Sequence, residues 1–444
     1  MKNLTNIIIC ILIIASCGRD NKNNGAGGTN AKDLIGNPDT TSGKPVPTPK
    51  NSDVKIYYEN SKSMDGYIRK NTDFKDVLRE LLVAIDNNEN IASSANFYLI
   101  NNDLQKTDFG VESVKIADEL TPNSTDGIGN KSFSDFEKIL NTILQNQDKN
   151  TISIVIADFI YSPNESNIPS SLNKLKTYTK DAFLKAIKDN NQLEARIFRF
   201  YSDFNGIYYD INNKEISGID KRPYYYFMIA DSKLMQELND KIASQLKEMD
   251  GYHNEALFTT NVYSNIPRKI LSTTSTNGRL RVRNNNLEII SYTKDKFIEF
   301  VVLFDFSNLP MNNNFLMNKE NYESNPDTFS IVDIGVKEGK RINFQESGST
   351  NIKPSDLVAI KGKRYTHAVK FKTNGTVSND LEFSLNKKIP SWVNKYHSRD
   401  DRNIKNDSIE KLKTFGFKSL VEGISEAYLL NREDKYFRTS ISIE

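Results

Sequence analysis

Apolar residues follow two alternating periods up to about residue 250 and the shorter period from there to about residue 393. Val54–Tyr58 is a short apolar run. Phe74, Val77, Leu78, Leu81, Leu82 and Ile85 then recur at spacings of three and four, which puts them on one helical face. Ala95–Ile100 predicts a second strand and Val111–Ile116 a short third. Ser134-Asp135-Phe136-Glu137 has the form of a capping box, followed by Phe136, Ile139, Leu140, Ile143 and Leu144 at helical spacing. Ile152–Ala157 (ISIVIA) is apolar throughout, as a strand covered on both faces requires. A helix is expected near Tyr178–Lys188, strands at Ala195–Tyr201 and Tyr224–Ile229, and a helix at Asp231–Lys247. Pro223 precedes the latter strand, where a missing N–H is tolerated. Strands separated by helices predict an α/β domain over residues 54–250, with a doubly wound, mainly parallel sheet.

After Gly251 the texture changes, and up to about residue 393 strand-length segments follow one another without helices between them. Leu257–Tyr263, Arg279–Arg283, Leu287–Tyr292, Phe297–Phe306, Thr328–Val336, His367–Thr373 and Asp380–Leu385 predict short strands separated by turn clusters such as Asn284-Asn285-Asn286. That pattern predicts a β-sandwich over residues 255–393. Residues 394–444 are expected to hold a polar linker, a C-terminal helix near Ser408–Leu430 that Gly416 and Gly423 weaken, and a terminal strand at Tyr436–Ile443. Trp392 is expected at the edge of the β domain, and Arg399-Asp400-Asp401-Arg402 as a solvated linker.

The N-terminal stretch carries a different signal. A basic start at Lys2 precedes the apolar run Ile7–Ile14, too short to span a bilayer, and Ile14-Ala15-Ser16-Cys17 follows. This resembles the lipobox of bacterial lipoproteins. The resemblance implies a signal peptide over residues 1–16, lipid on Cys17 and a membrane-anchored body in the cell envelope, in the outer membrane if the host has two. Residues 17–53, rich in Asn, Gly, Thr and Pro, have almost nothing to bury and form the expected tether, with a root-mean-square span of about 30–35 Å. The chain's two cysteines, Cys10 and Cys17, are then both committed. No disulfide, thiolate metal site or cysteine nucleophile is expected beyond them. The formal charge is +2 over 444 residues, with no basic stripe interleaved with aromatics, which argues against nucleic acid as a partner.

Candidate chemistry is concentrated at the end of the first strand. Ligands of open α/β sheets bind beyond the carboxyl ends of strands. There the chain reads Glu59-Asn60-Ser61-Lys62-Ser63-Met64-Asp65-Gly66. Ser61, Ser63 and Met64 match a loop of the form D-x-S-x-S-M. The stretch resembles the metal-ion-dependent adhesion site of von Willebrand factor A-like domains, with Glu59 for the aspartate and Lys62 for the usual glycine. The resemblance covers residues 54–250 and implies two further loops. One supplies a hydroxyl near a helix start, for which Ser132 and Ser134 are the candidates and Thr125 lies farther off. The other supplies an aspartate after the central strand, a place that Asp158 holds. It also implies Mg²⁺ or Mn²⁺ bound by Glu59, Ser61, Ser63, Ser132, Ser134 and Asp158, with a coordination corner open to an acidic group of a protein partner. Two hydroxyls at alternate positions and hard carboxylates suit an oxygen-seeking cation.

Three functions compete. A non-enzymatic binding lipoprotein would dock an unknown protein partner through the loop face. A serine or metal-assisted hydrolase would centre on Ser61 or Ser63, but the G-x-S-x-G frame is absent and His253, His367 and His397 all lie outside the α/β segment. A structural envelope protein would keep the site only as a vestige. Tyr224-Tyr225-Tyr226 is expected to pack within a strand, Asp210 to serve a turn and Asp231 to cap a helix.

Overall fold

In the computed structural model the described residues are 52–88, 91, 94–107, 113–163, 167–405 and 408–444. The expected signal peptide, Cys17 and all but the end of the tether lie outside them. The first apolar run forms β1 (Asp53–Glu59), then a helical turn α1 (Asp65–Ile68) and α2 (Asp73–Asp86). There follow β2 (Ser94–Ile100), β3 (Leu104–Lys106), α3 (Ser113–Glu119), α4 (Phe136–Gln145), β4 (Thr151–Ala157), α5 (Ile168–Asp189) and β5 (Leu193–Asp203). A small hairpin of β6 (Tyr208–Tyr209) and β7 (Glu215–Ile216) interrupts the return to β8 (Lys221–Asp231). After β8 come α6 (Ser232–Leu238), α7 (Ser244–Leu246) and β9 (Tyr252–Thr259). The short third strand expected at Val111–Ile116 is instead β3, and Ser113–Glu119 is helical.

These strands build one seven-stranded sheet in the order β3-β2-β1-β4-β8-β5-β9. β1 runs parallel to both β2 and β4. β3, β8 and β9 run against their neighbours. The sheet is therefore mixed, and only its β2-β1-β4 centre has the expected parallel character. The reason lies in the connections. β4 reaches β5 through α5, a crossover that preserves strand direction. No helix separates β5 from β8, so the chain turns back and enters antiparallel, filling the slot between β4 and β5. β9 was expected in the β-sandwich; it forms the edge of this sheet, pairing with β5 from Glu194–Thr259 onward.

Helices cover both faces. Phe74, Leu78, Leu81, Met235 and Leu238 pack with Ile56, Tyr58, Ile154 and Tyr226 on one side. Ile139, Leu140, Phe183 and Ile187 pack with Tyr57, Val155, Tyr225 and Phe227 on the other. The three consecutive tyrosines are fully buried strand residues, as expected.

The β region contains β10 (Arg268–Leu271), the ribbon β11 (Arg279–Arg283) and β12 (Asn286–Ser291), and β13 (Glu299–Phe304). A short helix α8 (Asn313–Met317) precedes β14 (Tyr322–Asn325), β15 (Phe329–Glu338), β16 (Arg341–Phe344) and β17 (Gly348–Asn351). α9 (Pro354–Ala359), β18 (His367–Thr373) and β19 (Leu381–Asn386) complete it. A six-stranded antiparallel sheet, β10-β13-β18-β15-β16-β17, offers Phe300, Val302, Phe304 and Phe371 to a shared core. Phe383, Leu385 and Phe437 enter that core from a three-stranded sheet whose last member is β22 (Lys435–Ile441). Two antiparallel sheets share one core, and the second takes β22 from outside residues 255–393, the range expected for the β domain.

The C-terminal segment returns to the α/β sheet. α10 (Ser391–Lys395), β20 (His397–Ser398), β21 (Thr414–Phe415) and α11 (Phe417–Leu429) follow β19. α11 is shorter than expected because Gly416, at φ 77°, caps its start. It packs on α5, and Gly423 makes that approach possible: a Cβ there would come 2.5 Å from the Lys176 carbonyl. Trp392 belongs to the α/β core rather than to the edge of the β domain. It stacks on Phe417 at 5.7 Å and donates its indole N–H to the Glu255 carbonyl. Asp401, expected in a solvated linker, is 4% exposed and accepts from Tyr208 Oη and the Ile211 amide.

Candidate functional site

β1 ends where the Asn60 amide bonds the Ile100 carbonyl at 2.8 Å. The chain then turns through Ser61–Met64, with Met64 buried as an anchor beneath it. Asn60 does more than end a strand. Its side-chain amide donates to the carbonyls of Thr125 (3.1 Å) and Ile128 (2.8 Å), and the Lys62 amide donates to Lys131 O (2.9 Å). These bonds lace the first loop to the segment before α4. Thr125 thereby has a structural role. Its hydroxyl donates to Thr121 O and Pro122 O and accepts from Lys131 Nζ.

The second loop differs from the expected capping box. Asp135, not Ser134, caps α4 by accepting from the Lys138 amide at 3.1 Å. Ser134 is left buried, and its hydroxyl has no hydrogen-bond partner. Ser132 lies exposed at the rim of the same cavity.

The third loop follows β4. Tyr58 pairs with Ile156, so Glu59 ends β1 level with Ala157 and next to Asp158. Asp158 Oδ1 accepts from the Ile160 amide at 3.1 Å across Phe159, whose φ is 52°. A left-handed non-glycine residue costs about 1 kcal/mol or more. The Phe159 ring offsets this by packing between Phe136 (5.5 Å) and Tyr225 (5.8 Å).

Glu59, Ser61, Ser63, Ser132 and Ser134 thus line one cavity of about 120 Å³, with Asp158 buried behind them. Ser61 Oγ and Ser63 Oγ are 2.9 Å apart. Glu59 Oε2 and Asp158 Oδ2 are buried without hydrogen-bond partners. Burial, with the Asp158 charge adding to it, pushes the Glu59 carboxyl up to about 8. The Ser134 and Ser61 hydroxyls oppose that rise only in part; Ser134 faces the carboxyl without hydrogen-bond geometry. Burial also raises Asp158, against the Ile160 amide, the Ser63 hydroxyl and the Arg222 charge.

Of the neighbouring cations, Lys62 and Lys131 are turned outward or paired elsewhere, and only the Arg222 charge acts on Asp158. Lys62 is exposed. Lys131 is buried in an ion pair with Asp65. Arg222, fully buried, donates to the Lys411 and Lys413 carbonyls at 2.7 and 3.0 Å.

The donor set suits a small hard cation. Oxygen ligands at about 2.0–2.1 Å in an octahedron lie about 2.9 Å from their neighbours, the spacing of the two serine hydroxyls. The partnerless carboxylate oxygens supply the negative charge. Among the described residues no group of three or more His, Cys, Asp or Glu side chains gathers; here two carboxylates and hydroxyls make the set. The histidines are remote from it: His253 packs on Tyr201, and His367 bonds Thr366 and Asn313.

Asn60, Tyr209 and Asn213 are the contributors that sequence reasoning missed. Tyr209 and Asn213 come from the hairpin β6–β7 and wall the cavity. Asp210 folds the hairpin by accepting from the Asn212 and Lys214 amides, its expected turn role, and Asn213 takes φ 58°. Asp-x-Asn-Asn is a turn signal of the kind that favours left-handed asparagine. Nothing local indicates that the turn closes over Glu59. Asp231 caps α6, as expected, by accepting from the Lys233 amide. No family model matches this chain, and neither a curated protein nor a solved structure matches it significantly.

Proposed function

We propose that this protein is a non-enzymatic envelope lipoprotein, anchored to the membrane through lipid on Cys17. It docks a protein partner through the loop face of its α/β sheet in a manner dependent on Mg²⁺ or Mn²⁺. One observation carries the cation: Glu59 and Asp158 are buried together, each with a partnerless oxygen, beside Ser61, Ser63 and Ser134. Two buried carboxylates in one enclosure are costly; the buried Arg222 charge eases Asp158 only in part, and a divalent ion would remove the rest of that cost. Ser61, Ser63, Ser134, Glu59 and Asp158 would hold it, directly or through water, with Ser132 at the rim. The bound ion would present a positive charge to an acidic group of the partner. Asn60 holds the two loops in register, and Phe159 fixes the direction of Asp158.

A binding function is favoured over hydrolysis because the two serine hydroxyls bond each other and the three histidines lie on other elements. The test is titration of Mg²⁺ and Mn²⁺ into the chain from Ser52, followed by thermal melting. A rise in Tm that vanishes in the Ser61→Ala/Ser63→Ala double variant is expected. No shift at millimolar ion overturns the cation site and leaves a structural envelope protein. A pulldown from envelope extract with and without chelator then tests the partner's dependence on the ion.

A further inference from the structure

The hairpin β6–β7 has a cavity on each side. Tyr209 and Asn213 wall the small one beside Glu59; Ile211 and Asn212 wall a second of about 670 Å³. The larger cavity lies between the start of α5, the hairpin, the segment around Arg399 and the first turns of α11. Its volume falls within the range of pockets that hold ligands.

Its lining combines apolar, neutral polar and charged groups, the last including the Asp400 and Glu422 carboxylates, with Glu422 paired to Lys418 at 3.6 Å. Ile168 and Leu172 of α5 and Ile211 form an apolar wall. Asn173, Asn212 and Ser419 present amide and hydroxyl groups, with no hydrogen bond from these side chains among the described residues. The cations differ in their pairing: Lys176 pairs with Glu426 and Arg402 with Asp400, whereas the Arg399 guanidinium has no ion pair among the described residues.

We infer that this cavity binds a short extended peptide segment carrying a carboxylate beside apolar side chains, with Arg399 as the carboxylate's partner. Arginine matches a carboxylate with two parallel N–H donors. The free amides suit peptide N–H and C=O groups, and the apolar wall takes the neighbouring side chains. A hydrocarbon tail would fit poorly, because it would bury Asn173 and Asn212 without partners. The site shares no lining residue with the cation pocket, so it stands or falls separately from the proposed cation dependence.

The experiment uses the full chain and a pool of fluorescein-labelled pentapeptides with glutamate fixed at the centre and apolar residues around it. Anisotropy is compared with that of a pool carrying glutamine at the centre. Saturable binding of the acidic pool is expected, about tenfold weaker for the glutamine pool and about tenfold weaker in Arg399→Glu. Ser419→Trp, which fills the cavity, should abolish it, while EDTA and the Ser61→Ala/Ser63→Ala change should leave it intact. Melting of both cavity variants verifies folding. Absence of saturation at millimolar peptide, equal binding of the two pools, or full binding by Arg399→Glu would each overturn the proposal. So would displacement by laurate at lower concentration than by unlabelled acidic peptide.

Discussion

Glu59 and Asp158 end neighbouring parallel strands and are buried together, 2% and 1% exposed, each with an oxygen that no protein group satisfies. The relationship follows from strand register. Because Tyr58 pairs with Ile156, the residues at the two strand ends share one enclosure, and the Asp158 charge adds to burial in raising the affinity of Glu59 for a proton.

Replacing Asp158 by asparagine should stabilise the ion-free protein while removing its response to cations. Asparagine keeps an acceptor for the Ile160 amide but removes the charge that faces Glu59. A gain of about 1 kcal/mol is expected, since one pKa unit is worth about 1.4 kcal/mol. Melting in chelator and in millimolar Mg²⁺ measures both effects.

The stability of the ion-free protein should fall between pH 5 and pH 8. Glu59 titrates near its ordinary value of 4.5 when unfolded and near 8 when folded. Between those values the folded chain holds a proton that the unfolded chain has lost, so stability decreases as pH rises. The slope from this one group cannot exceed about 1.4 kcal/mol per pH unit. Urea unfolding at pH 5, 6.5 and 8 should show the fall in wild type and a flatter profile in Glu59→Gln.

Asp356 should behave in the opposite sense. Its Oδ1 accepts from the amide and hydroxyl of Ser272, and its Oδ2 from those of Thr273 and Thr274. These donors outweigh burial and hold its carboxyl below the ordinary range. The resulting stability is present above the unfolded pKa and is lost as pH falls through the folded one. Asp356→Asn should cost about 3 kcal/mol in urea unfolding at pH 7, because an NH₂ group cannot accept the bonds it replaces.

Gly416→Ala should loosen the third site loop. Gly416 has φ 77°, and a Cβ there would meet Tyr161 Cβ at 2.6 Å. The Tyr161 amide bonds the Phe415 carbonyl at 3.1 Å, so the clash bears directly on the loop that starts at Asp158. A loss of about 2 kcal/mol is expected from strain and displacement together. Weaker Mg²⁺ stabilisation in the variant would register the loop's movement.

Asn60→Ala should reduce both stability and cation response, although Asn60 contributes no ligand. It leaves the Thr125 and Ile128 carbonyls without their donor, at a cost of about 1–3 kcal/mol. Hydrogen exchange should rise selectively in the segment from Thr121 to Lys131.

The sequence by itself determined the elements and the strand ends. Period two or three to four in residues 54–250 fixed most strands and helices, since burial of one face leaves few alternatives. The same local reasoning located Glu59, Ser61, Ser63 and Asp158 at the ends of apolar strands. Tertiary structure decided everything that depends on residues far apart in the chain. It placed β8 antiparallel between β4 and β5, because strand order follows the connection and not the strand's own composition. It moved Tyr252–Thr259 and Trp392 into the α/β body, buried Asp401 beneath Tyr208, and folded the hairpin carrying Tyr209 and Asn213 over the cavity. It also gave the cap of α4 to Asp135 and left Ser134 facing Glu59. Serine and aspartate both cap helices, but only the packed loops determine which of Ser134 and Asp135 takes the helix amide.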